Sequence, residues 1–220
     1  MKKYYSEQLA GLRERVLRMG GLVEQMTRRV VQALVERNVG ILAEVQEMEI
    51  QVNQLHVEID EACLELIALR QPAAVDLRFI AAAMKIIVDM ERIGDQAINI
   101  AQRAESLLVV PLLKPLIDIP RMADIAQEML KAALDAFVNG DDELAYATIL
   151  RDDQVDQLKD QIFRELLTFM MSDPTTIPRA MDLILVSRHL ERIADHATNI
   201  CEDVIFMVKG KDVRHQGPLS

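Results

Sequence analysis

The chain has 220 residues, half of them hydrophobic, 4% aromatic and none Trp, with a net charge of −10 and a pI near 4.9. Binding to nucleic-acid phosphates needs a basic face, and this acidic chain forms none, which excludes DNA and RNA as partners. No apolar run reaches the ~20 residues that span a bilayer and the N-terminus lacks a signal-peptide core, so the expectation is a cytoplasmic protein without a membrane span.

Leu, Ile, Val, Ala and Met must fill the core, which is the mixture of a helical bundle. Gly and Pro, eight and seven in number, cluster and leave long uninterrupted stretches. Cys63 and Cys201 stand alone at apolar-compatible positions, as small buried hydrophobes in a reducing compartment.

Apolar residues at Leu9, Leu12, Val16, Met19, Val23, Met26, Val30 and Leu34 step by three and four, which predicts a helix over 6–38. Gly20-Gly21 is a weak point within it. A second helix is predicted over 41–69, with Val45, Met48, Val52, Leu55, Ile59, Leu66 and Leu69 inward and Gln71-Pro72 as its stop. A third runs over 73–108. Residues 110–120 hold three prolines and read as the boundary between halves, apolar enough to pack on the bundle. Helices four (121–138), five (141–171) and six (to Lys209) follow, and the polar tail after Gly210 is expected to fray.

One ten-residue stretch occurs twice. Glu91-Arg-Ile-Gly-Asp95-Gln-Ala-Ile-Asn99-Ile returns 100 residues later as Glu191-Arg-Ile-Ala-Asp195-His-Ala-Thr-Asn199-Ile, with seven of ten positions identical. Acid, acid and amide at i, i+4 and i+8 line up along one helix face, as a hard or borderline cation requires. The preceding helices repeat too. Gln51-Val-Asn53-Gln-Leu55 matches Gln154-Val-Asp156-Gln-Leu158, with Glu49 and Asp152 four residues ahead of Asn53 and Asp156. Each half therefore carries an oxygen pair on its second helix and a triplet on its third.

The helix phase turns these groups outward. Leu183, Val186, Leu190, Ile193, Ala197 and Ile200 form a seam, matched by Phe79, Ala83, Ile86, Met90, Ile93, Ala97 and Ile100. Glu191, Asp195 and Asn199 fall roughly 130–210° from the centre of that seam. Met84, Ile87 and Val88 lie on the same side as Glu91 and Asp95, and two readings stand open: burial by the first half's own helices or by the other half, or a second apolar surface for a dimer or partner.

The run Leu66-Ile-Ala-Leu-Arg-Gln-Pro72-Ala-Ala-Val-Asp76-Leu-Arg78, then Asp89-Met-Glu91-Arg-Ile-Gly-Asp95, resembles the PhoU family, and Arg188-His-Leu-Glu191 to Glu202 resembles its second repeat. The resemblance covers essentially the whole chain. It implies an all-α fold of two tandem three-helix bundles with pseudo-two-fold symmetry, here residues 1–112 and 113–220. It implies no enzymatic activity. The expected role is negative regulation of phosphate uptake and of the transcriptional response to phosphate starvation. The implied partners are a phosphate ABC transporter and a sensor histidine kinase at the cytoplasmic membrane face, with a homodimer as the working form. It also implies multinuclear iron or zinc. Carried over residue by residue, Glu49, Asn53, Glu91 and Asp95, with Asn99 nearby, would hold one cluster. Asp152, Asp156, Glu191 and Asp195, with Asn199 nearby, would hold the other. Asn53 stands where an Asp is common, so the first site has one charge fewer.

His56 shares the face of Glu49, but its repeat counterpart is Lys159. His189 and His196 are turned ~100° off the acid row and read as packing or surface groups. Two alternatives remain. One is a metal-free structural or interaction dimer. The other is a di-iron carboxylate enzyme, which uses Glu-x-x-His pairs facing a bundle core. No Glu lies three residues before any of the four His.

Overall fold

The apolar spacing builds the architecture directly. Leu12, Val16, Met19, Val23, Met26, Val30 and Leu34 are all buried, as is every residue of the two predicted seams. Each such Leu, Ile, Val or Met contributes roughly 1.5–3 kcal/mol by leaving water. The computed structural model describes residues 2–70 and 72–211, with side chains from residue 5 onward and not that of Arg70. Gln71 and residues 212–220, which hold part of the predicted Gln71-Pro72 stop and most of the predicted fraying tail, lie outside the described residues.

Its elements are α1 (Lys2–Glu36), α2 (Gly40–Arg70), α3 (Ala74–Leu108), α4 (Asp118–Asn139), α5 (Asp142–Ile149), α6 (Asp152–Ser172) and α7 (Ile177–Lys209), with a 3-10 turn at Pro174–Thr176. Among the described residues there is no strand, and no helix is long and apolar enough to cross a membrane. Helices α1, α2 and α3 pack on one another, and α4, α5, α6 and α7 repeat the arrangement.

The most extensive helix contact joins the halves, α3 against α7. They run antiparallel. Arg78 Nε donates to the Met207 carbonyl at 3.1 Å, Asp89 meets His196 at 2.8 Å, and Arg103 meets Asp182 at 3.5 Å. Helix α1 also packs on α4. A Cβ on Gly20 would lie 2.5 Å from Leu134 Cδ1, so the predicted weak point is where these two helices approach closely.

Three expectations change and one open choice is settled. The predicted fifth helix breaks into α5 and α6 at Leu150-Arg151. Thr148 donates its hydroxyl back to the Leu144 carbonyl at 2.8 Å, and Asp152 and Asp153 open α6, where acids favour a helix N-terminus. In the repeat, Arg151 replaces the buried Met48 and pairs outward with Glu128. Helix α4 starts at Asp118, with Pro120 in its first turn, where no hydrogen bond is lost. Leu69 is 63% exposed rather than inward, because α2 is ending. Of the two readings of the side holding Met84, Ile87 and Val88, burial holds: Ile87 is fully buried and Met84 and Val88 are half-buried, so no second apolar surface forms there.

The boundary segment packs as its composition requires. Leu113 and Leu116 rest on the core, and Arg37 donates to the carbonyls of Leu108 and Val110, both at 2.7 Å.

Candidate metal centres on two acidic faces

The first face is shared by α2 and α3. Glu49, Glu91 and Asn99 are half-buried, and Asn53 and Asp95 are exposed. The helix phase thus leaves these groups on the outer side. Partial burial pushes the Glu49 carboxyl up, and the charges of Asp95 and Glu91 push it further. Carboxylates from two helices therefore crowd one another here. His56 is half-buried on the same helix.

The second face is shared by α6 and α7, and its crowding is stronger. Asp152 is pushed up to about 6, first by burial and then by Asp195, Asp156, Glu191 and Asp153. Asp195 is raised by burial and by Glu191 and Asp156, with His196 and Lys159 acting against this. Lys159 Nζ donates to Asp156 Oδ1 at 2.7 Å and to Glu191 Oε1 at 2.9 Å. These two bonds hold its ammonium above the usual lysine range. Lys159 thus spans the two helices as a tethered cation. The spacing Asp156 to Lys159, i to i+3, carried the signal for it.

Asn199 lies away from the acid row. Its amide nitrogen donates to Asp89 Oδ1 at 3.1 Å, across the contact between the halves. His196 and His189 sit at that same contact, as packing groups. His196 Nδ1 bonds Asp89 at 2.8 Å, and His189 Nδ1 bonds Gln96 Oε1 at 2.8 Å. Burial lowers the His189 pKa, helped by Arg103, Arg192 and Arg188. Asp89 and Gln96 escaped the sequence reading, since nothing in a linear pattern says which flank of α3 meets the other half. Cys63 and Cys201 are buried free thiols, each pushed up to about 12, chiefly by burial.

The donor set fits a hard or borderline cation. Crowded carboxylates raise each other's pKa, and in the second face an ammonium already stands in for the positive charge. Among the described residues, no three His, Cys, Asp or Glu side chains converge on one cation position as they now stand. Ligation would require these half-exposed side chains to turn inward.

The fold and its two faces define a class: a duplicated three-helix bundle bearing carboxylate rows on its outer helix faces. The PhoU domain model matches this chain twice, over residues 16–104 and 119–204. The chain is 41% identical over 218 residues to the phosphate-specific transport system accessory protein PhoU homolog of Pseudomonas putida, covering 99% of this chain and 85% of that one. The homolog of the same name from Aquifex aeolicus is 42% identical over 210 residues, covering 96% and 95%. The crystal structure of PhoU from Pseudomonas aeruginosa superimposes with a TM-score of 0.90 at 40% identity, over 94% of this chain and 100% of that one. The phosphate transport system regulatory protein PhoU of Streptococcus pneumoniae superimposes at 0.87 with 28% identity, over 95% and 99%. The chain belongs to the PhoU family.

Proposed function

We propose that this chain is an accessory regulator of a phosphate-specific transport system, working by protein contact and not by catalysis. The observation that carries this reading is likeness along nearly the full length of relatives named as accessory proteins of that system. In this reading it represses phosphate uptake and starvation signalling by touching the phosphate ABC transporter and a sensor histidine kinase. It does so as a cytoplasmic homodimer, at the inner face of the membrane. The two repeats divide between residues 112 and 113.

Iron or zinc belongs to the same proposal. Glu49, Asn53, Glu91 and Asp95 would hold it on the first face, with Asn99 at the edge. Asp152, Asp156, Glu191 and Asp195 would hold it on the second. A bound cation would supply the positive charge that lets these carboxylates converge and stiffen a docking surface. Wild type and a Glu191→Ala/Asp195→Ala variant, compared for metal content and for binding to transporter and kinase, test this. Metal loss with weakened binding supports it. Unchanged metal content overturns the site, and metal loss with intact binding overturns the coupling.

A second reading, a metal-free interaction protein, rests on Lys159, which partly neutralises the second face from within.

A further inference from the structure

The two acidic faces differ in kind at one repeat position. On α2 the residues that share the row of Glu49 are Asn53, His56 and Asp60, turned from it by roughly 40°, −20° and 20°. The matching row on α6 is Asp152, Asp156, Lys159 and Phe163. His56 therefore stands where the second face has Lys159. In each half this row is turned toward the neighbouring long helix. Lys159 Nζ donates to Glu191 Oε1 of α7 at 2.9 Å, and Glu49 lies within the charge of Asp95 and Glu91 of α3.

An ammonium and an imidazole do opposite things to a cation site. Lys159 carries three donors and no lone pair, so it repels a metal ion. It also occupies oxygens of Asp156 and Glu191 that would bind one. Arg188 lines the same hollow as Lys159 and Glu191, and its counterpart on the first face is the apolar Val88. A neutral imidazole offers a lone pair and suits zinc or iron. His56 is half-buried in the row, and Asp60 below it offsets the charge that Asn53 lacks. Arg92 and Arg192 are exposed at matching positions, so they do not distinguish the faces.

We propose that the two faces load in order. The first face takes a borderline divalent cation of the zinc class first, with His56 as a nitrogen ligand. The second takes one only when Lys159 withdraws from Asp156 and Glu191. The proposal rests on the metal reading above. It adds to that reading a ligand outside the acid rows and a gate on one of the two sites. The first face is then filled at low zinc, and the second responds as zinc rises.

The test uses the full chain, stripped with chelator, and zinc alone. Calorimetric titration of wild type should show two classes of site, roughly tenfold or more apart in affinity. His56→Ala should weaken the tight class by roughly tenfold or more and leave the weak class in place. Lys159→Met should tighten the weak class by a similar factor and leave the tight class in place. Thermal melts confirm that both variants fold. NMR of the histidine rings reads the ligand in wild type: the first zinc bound should shift the signal that His56→Ala removes. Zinc held at one class of site that neither variant alters overturns the proposal and keeps the metal reading. So does a first zinc that leaves the His56 signal where it was. No zinc binding at all overturns both.

Discussion

His196 Nδ1 lies 2.8 Å from Asp89 Oδ1, and both side chains are buried where α7 meets α3. Moving each residue to its repeat counterpart, 100 positions away, turns this pair into His189 and Gln96, which also meet at 2.8 Å. One pseudo-two-fold contact thus holds two versions of the same polar pair, one charged and one neutral.

That difference predicts unequal costs. Asp89→Ala leaves His196 and the Asn199 amide without their shared acceptor, and should cost about 2–3 kcal/mol in urea unfolding. Gln96→Ala strips one neutral bond from His189, which is less buried, and should cost about 1 kcal/mol. Equal losses would mean that the two pairs are interchangeable.

The two adjacent glycines of α1 should part company. A Cβ on Gly21 meets nothing within 4 Å, so Gly21→Ala should stabilise by about 0.5–1 kcal/mol through helix propensity. On Gly20 the same atom meets Leu134 at 2.5 Å, and Gly20→Ala should lose that gain to overpacking. Chemical denaturation of the two single variants measures the difference.

Lys159 should act as a built-in counter-cation. In chelator, Lys159→Met removes both its bonds, to Asp156 and Glu191, and should lower stability by about 0.5–1 kcal/mol, the modest value being set by partial exposure. Zinc should then raise the melting temperature of the variant more than that of wild type. Identical shifts would show that Lys159 does not compete for the second face.

The pH dependence of the metal-free protein follows from Asp152. Burial and the neighbouring carboxylates push it up to about 6 in the folded state, above the ordinary Asp value of 3.8, so between these values the folded state binds more protons than the unfolded one. This contribution is therefore present at low pH and lost as pH rises from about 4 to 6. Asp152→Asn should flatten that decline in melts taken across the window, and an unchanged slope would assign it to other groups.

Much of this was legible in the sequence, for a physical reason. Three-and-four spacing reports which side of a helix is dry, and every seam residue from Phe79 to Ile100 and from Leu183 to Ile200 is buried. The same phase placed Glu91 and Asp95, and Glu191 and Asp195, away from the core. What the pattern misjudged depends on neighbours in space. Ile87 has the phase of an outer residue but lies buried, and Asn199 continues the acid row in sequence yet bonds Asp89. The break at Leu150-Arg151 hid because a heptad pattern tolerates one missing apolar residue, the Arg that replaces Met48.

The central claim, regulation of phosphate transport, is tested most directly in a bacterium lacking its own PhoU protein and carrying a phosphate-starvation reporter. Expressed there in phosphate-replete medium, this chain should silence the reporter and restore it on starvation. A reporter that stays active, with the chain folded and present at normal levels, would contradict the account.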